Sequence, residues 1–142
     1  MAEDPLPVWE LVRTAHLAGL RFGELFAAMD LTPTQFGLLR ALAVDEGLTQ
    51  AELARVILVR PQSIGALVTS LRERGLVVRH GPGGRGRRAG LALTDAGREI
   101  LERAWPPVRE FNTPAALGLT PAQAAMLEEL LERIRTALTA ED

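Results

Sequence analysis

Thr32-Pro33-Thr34-Gln35 and Thr120-Pro121-Ala122-Gln123 follow the same pattern: a threonine, a proline, and a glutamine three residues after the threonine. The first N–H groups of a helix have no partner inside it. A threonine hydroxyl and a glutamine carboxamide can satisfy two such donors reciprocally, and proline at the first helical position sacrifices no helical bond. Thr49-Gln50-Ala51-Glu52 is a third version, and Thr94 with Asp95 a weaker fourth. So many marked starts make the chain a succession of separate helices.

The apolar spacing fills in the spans. A first helix is expected over Val8–Met29, where Val8, Leu11, Val12, Ala15, Phe22, Leu25, Phe26 and Met29 recur at helical intervals. A second is expected over Pro33–Asp45, a third over Gln50–Val56 and a fourth over Pro61–Arg74. A fifth starts near Asp95 and is expected to kink or stop at Pro106-Pro107, and a sixth covers Pro121–Leu138. Gly47 and Gly75 stand where helix ends call for a left-handed residue. One region differs. The runs Leu76–His80 and Ala89–Leu93 are β-prone and flank a segment, 81–88, in which five of eight residues are Gly or Pro, the pattern of a β-hairpin. The fold class is therefore mainly α with one small hairpin.

Several function classes are excluded. There is no cysteine, which removes disulfides, thiolate nucleophiles and thiol redox sensing. His16 and His80 are the only histidines, too few and too scattered for a metal site. No nucleophile–base or carboxylate pair has a local signature, so neither an enzyme nor a cofactor is expected. The acidic start lacks a signal peptide, and no apolar run approaches a membrane span of roughly 18 residues, so the expected location is the cytoplasm, away from membranes.

Charge is unevenly distributed. The formal net charge is −2, yet Thr34–Arg98 carries ten arginines against five carboxylates, while the remainder carries six against thirteen. A basic middle between acidic ends suits an anionic partner for the middle alone. All sixteen basic residues are arginine, a chain-wide preference that carries no weight at any single position.

Gly81-Pro82-Gly83-Gly84-Arg85-Gly86 matches the dinucleotide-binding glycine pattern, but that pattern works by delivering the pyrophosphate to a helix N-terminus. Here a strand follows, so a nucleotide site is not expected. The segment Leu48–Gly75 is a short capped helix, a brief turn and a second helix. In the second, Ile64, Leu67, Val68 and Leu71 form one apolar face, and Gln62, Ser63, Ala66, Thr69, Ser70 and Arg72 the other. Two readings stand for this hairpin: an ordinary pair of helices with a solvated face, or a helix-turn-helix whose second helix reads base edges. A following β-hairpin with arginines at its tip favours the second, as a winged helix-turn-helix. The expected DNA-binding set is Arg60, Gln62, Ser63, Ala66, Thr69 and Arg72 on the helix, with Arg85, Arg87 and Arg88 on the wing. The alternative is a winged-helix protein-interaction module that binds no DNA.

The runs Leu31–Leu42, Thr49–Arg79, Leu91–Leu101 and Gly118–Ile134, in this order, resemble the MarR family of bacterial transcriptional regulators. The resemblance spans nearly the whole chain and implies one domain over residues 1–142. Residues 30–98 would form the winged helix-turn-helix lobe, and 6–29 with 99–142 a helical dimerisation lobe built from both chain ends. It implies a homodimer that binds a pseudo-palindromic duplex, usually as a repressor, and releases it when a small aromatic or anionic effector binds. By position, Arg87 falls on the family's wing arginine, and Arg85 stands where an acidic residue usually braces the wing. His16, Phe36, Arg40 and Phe111 fall where the family's ligands lie. Surplus apolar residues on the first and sixth helices (Met126, Leu127, Leu130, Leu131, Ile134 and Leu138 on the latter) independently point to a homodimer.

Overall fold

The structure, a computed structural model, describes residues 2–80 and 90–140. The elements run α1 (Pro7–Ala27), α2 (Pro33–Val44), α3 (Gln50–Val56), α4 (Pro61–Glu73), β1 (Val77–Arg79), β2 (Leu91–Leu93), α5 (Asp95–Phe111), a 3-10 turn (Ala115–Leu117) and α6 (Pro121–Thr139). The order is that of a winged helix-turn-helix framed by further helices.

The threonine starts behave as their chemistry dictates, with one variation. Thr32 and Thr120 form complete reciprocal caps with Gln35 and Gln123. Thr49 also caps, accepting from the Glu52 N–H at 3.2 Å, but its hydroxyl donates to the Glu52 carboxylate at 3.1 Å instead of leaving that carboxylate to reach back to the backbone. Thr94 joins two elements: its hydroxyl accepts from the Gly97 N–H at 3.0 Å and donates to the Gly75 carbonyl at 2.6 Å. Gly47 and Gly75 both adopt positive φ, as expected of them.

Contacts divide the chain into two compact units, Met1–Ala104 and Trp105–Asp142. In the first, a core of Phe26, Leu38, Leu39, Leu42, Leu53, Val68, Leu71 and Leu91 is almost wholly closed to solvent. Phe22, Phe26 and Phe36 stack in series, with ring centroids 5.5 Å and 4.7 Å apart. Arg74, at the end of α4, donates to the Asp30 carbonyl at 2.6 Å and so ties α4 to the α1–α2 corner.

The two strands pair antiparallel, Val77 opposite Leu93 and Arg79 opposite Leu91. A third strip of backbone joins them. Gly47 donates to the Leu91 carbonyl at 2.9 Å, and Leu91 donates to the Leu48 carbonyl at 3.1 Å. The corner between α2 and α3 thus serves as an outer strand beside β2. The approach is so close that a Cβ on Gly90 would collide with the Gly47 carbonyl, which is why glycine is required there. Gly97 has the same role at the start of α5, against the Leu76 carbonyl.

α5 does not stop at its two prolines. The helix continues through Pro106 and Pro107 to Phe111. The two prolines cannot donate to the carbonyls of Glu102 and Arg103. Both of those residues are exposed, so water can take the lost bonds. In the second unit Val108 is buried, while α6 buries none of its residues and leaves Met126, Leu127, Leu130 and Leu138 exposed. In the first unit α1 buries Phe26 but leaves Val8, Trp9, Val12, Leu17 and Leu20 exposed.

Gly90→Ala is expected to lose about 1–3 kcal/mol of stability by forcing the corner away from β2. Gly65→Ala, in a helix and with open space around it, should gain roughly 0.5–1 kcal/mol. Urea unfolding of both variants beside the parent measures the two signs directly.

Candidate nucleic-acid interface

The two faces of α4 are cleanly separated. Ile64, Val68 and Leu71 are buried and Leu67 is half-buried, which anchors the helix along one side against α3 and β1. Gln62, Ser63, Ala66, Thr69 and Arg72 are all exposed on the other side, with Arg60 exposed immediately before the helix. The structure therefore brings all six expected helix residues onto one accessible surface. Among the described residues, no hydrogen bond or ion pair holds the side chain of Arg60, Gln62, Ser63, Thr69 or Arg72. Their donors and acceptors face solvent, as a surface that exchanges water for base edges and phosphates requires.

The start of α4 adds to this. Thr side chains cap α2, α3 and α6, but Arg60, the N-cap of α4, provides no side-chain cap. The positive end of the helix dipole and the Arg60 guanidinium thus favour the same kind of partner, an anion such as a phosphate. The wing candidates Arg85, Arg87 and Arg88 lie outside the described residues. Arg79, on β1 at the base of the wing, is exposed and was not among the expected contacts. Its signal was the basic strand end itself, which the pairing of Arg79 with Leu91 places next to the loop.

At the wing base, Glu46 stands 3.6 Å from His80 Nε2 and 4.0 Å from Arg98, which also pairs with Asp95 at 3.3 Å. All four groups are at least half exposed, so each pair contributes little to stability. Beside them an open groove of about 390 Å³ is bounded by Leu42, Glu46, Leu93, Arg98 and Glu102 among others.

The four ligand candidates fall on three helices. His16 and Arg40 are exposed, on α1 and α2. Phe36 is 8% exposed and stacked on Phe26 in the core. Phe111 belongs to the second unit, at the end of α5. None of the four lines the groove. Among the described residues no helix is long and apolar enough to cross a membrane, and no group of three His, Asp or Glu residues is placed to hold a metal ion.

Comparison with known proteins places this geometry. Residues 29–88 match the family model described as MarR family. The chain is 29% identical over 134 residues to the HTH-type transcriptional repressor Rv2887 of Mycobacterium tuberculosis, covering 94% of this chain and 96% of that one. It is 30% identical over 107 residues to the HTH-type transcriptional regulator BCE33L1758 of Bacillus cereus, covering 75% of this chain and 71% of the other. Among solved structures it is similar to the MarR family protein Rv2887 in complex with p-aminosalicylic acid, with 30% identity, a TM-score of 0.71, and coverage of 92% and 98% of the two chains.

If the outer face of α4 is reserved for a partner, its side chains contribute little to the fold. Alanine at Gln62, Ser63, Thr69 or Arg72 should change unfolding free energy by no more than about 0.5 kcal/mol. Ile64→Ala, on the buried face, should cost about 2–5 kcal/mol in the same urea titrations.

Proposed function

Because the chain belongs to the MarR family, we propose that it is a sequence-specific, double-stranded DNA-binding transcriptional regulator. It acts as a homodimeric repressor on a pseudo-palindromic site and lets go when a small aromatic acid binds. The observation that carries this reading is the divided surface of α4: a buried aliphatic face, and an exposed face of Gln62, Ser63, Ala66 and Thr69 between Arg60 and Arg72. Gln62 suits a bidentate contact to adenine, Ser63 is permissive, and the Ala66 methyl suits a thymine methyl. Arg60 and Arg72 bracket the face with charge for the phosphates on either side. By their place in the sequence, Arg85, Arg87 and Arg88 supply further phosphate and minor-groove contacts.

The same reading assigns residues 30–98 to the DNA-binding lobe and 6–29 with 99–142 to dimerisation. The exposed apolar residues of α1 and α6 support it, since neither helix has a use for them in a single copy. Two copies related by a two-fold axis would present two α4 helices to two half-sites. The effector is proposed by analogy with the relative that was solved with p-aminosalicylic acid. Arg40 is the partner proposed for its carboxylate, with His16 and Phe36 as further candidates. A cytoplasmic location and the absence of any enzymatic activity complete the proposal.

Fluorescence anisotropy over a salt series, with a duplex selected by the protein from a random pool and with random duplex, tests the DNA reading. Gln62→Ala should cost about 1–3 kcal/mol on the selected duplex and little on random DNA. Arg87→Ala should weaken both by similar factors and lower the salt slope by about one unit per subunit. Salicylate or p-aminosalicylate added to the complex should release the DNA. A protein-interaction module would show no duplex affinity at any salt concentration.

The dimer is checked separately. Sedimentation at micromolar concentration should give a single species of twice the chain mass, and a folded monomer there would remove the assembly proposed here.

A further inference from the structure

Four times among the described residues a helix or turn ends in the same backbone motif, in which an N–H reaches back five residues and the residue before it takes a left-handed conformation. Leu31 bonds to the Phe26 carbonyl at 3.1 Å across Asp30 (φ 55°), and Leu76 to Leu71 at 3.0 Å across Gly75 (φ 72°). Leu119 bonds to Pro114 at 2.9 Å across Gly118 (φ 70°), and Val59 to Ala54 at 3.0 Å across Leu58 (φ 58°). Three of the four use glycine or aspartate, which tolerate this conformation. The fourth uses leucine, whose Cβ crowds the neighbouring carbonyl.

The turn gains the Val59–Ala54 bond, but the Leu58 side chain adds little packing to repay the strain. Leu58 is 64% exposed. The inward positions of the turn go to its neighbours: Ile57 and Val59 are half-buried, and Ile57 lies against α2 at Gly37. Leu58 stands two residues before the α4 N-cap, between exposed Arg55 and Arg60 and beside the first turn that carries Gln62 and Ser63. A strained conformation retained for so little packing points to function. Here an exposed apolar side chain lies between two exposed arginines along the chain, just before the helix proposed to enter a duplex.

Resting on the DNA-binding reading above, we infer that Leu58 is a specificity residue that takes a thymine methyl group flanking the bases met by the first turn of α4. The arginines on either side call for a polyanion, and the thymine methyl is the apolar group that a base edge offers in the major groove. The left-handed backbone goes with a side chain left largely in solvent, where a base edge could meet it.

Leu58→Gly and Leu58→Asn test this beside the parent, by thermal unfolding and by anisotropy on the selected and random duplexes. Both variants should melt at or above the parent temperature, because the strain is relieved. They should bind the selected duplex roughly three- to ten-fold more weakly, the scale that burial of a methyl or two carries, and random duplex unchanged. Replacing one flanking thymine per half-site with deoxyuridine should weaken the parent by a similar factor and leave Leu58→Gly unaffected. Undiminished binding by Leu58→Gly would overturn the inference, as would a lowered melting temperature that reveals a packing role. Equal weakening on both duplexes, insensitive to deoxyuridine, would assign Leu58 to the sugar–phosphate backbone and overturn the specificity role. A parent protein with no duplex affinity at all would remove the DNA-binding reading itself, a failure distinct from the others.

Discussion

The contact on which the rest of the first unit depends is backbone against backbone. The corner after α2 lies on β2, bonded through Gly47 and Leu48 to Leu91, and Gly90 is the residue that lets it come so near. Without that strip, β1 and β2 would be an isolated two-stranded ribbon, which is marginal in water. With it, the ribbon has a third edge supplied by the helix-turn-helix segment itself. Thr94 and Gly97 repeat the arrangement on the other side, where α5 starts against the end of α4 and the start of β1. The hairpin base is thereby held between the helices that precede and follow it.

This fastening leaves α4 free to present a face. The helix is held along its buried side by Ile64, Val68 and Leu71, and at its C-terminal end by Arg74 reaching the Asp30 carbonyl. Neither constraint uses the outer residues. A recognition surface benefits from that independence, because its side chains can be chosen for their partner and not for the fold. The same separation makes Leu58 conspicuous: it occupies a position that the fold fills elsewhere with glycine or aspartate, and its side chain is mostly exposed.

The electrostatics follow the same division of labour. The arginine surplus lies within Thr34–Arg98, and the carboxylates gather toward the two ends of the chain. Three of the five carboxylates inside the basic block have local partners: Glu52 at its own helix cap, Asp95 with Arg98, and Glu46 between His80 and Arg98 at the wing base. The outer face of α4 itself carries arginines at Arg60 and Arg72 and no carboxylate among its expected contacts. An overall net charge of −2 thus coexists with a surface suited to a polyanion.

Helix starts were determined by the sequence alone, because a threonine cap and a proline at the first position act through their own and neighbouring atoms. The buried and exposed faces of α4 were equally legible, since helical periodicity sorts apolar from polar residues whatever lies opposite. What the sequence did not show depended on partners distant along the chain. The need for glycine at Gly90 comes from a carbonyl at Gly47, and the third strand beside β2 comes from a corner with no strand-like pattern. Pro106 and Pro107 locally favour a break, yet α5 continues, and the carbonyls they leave unbonded belong to exposed residues, Glu102 and Arg103, where water can serve them. Phe36, placed by family position among the ligand candidates, is drawn by tertiary packing into the stack with Phe26. The strain at Leu58 was likewise invisible, because a residue's φ is set by the bond Val59 makes back to Ala54, and that bond exists only once the turn has closed.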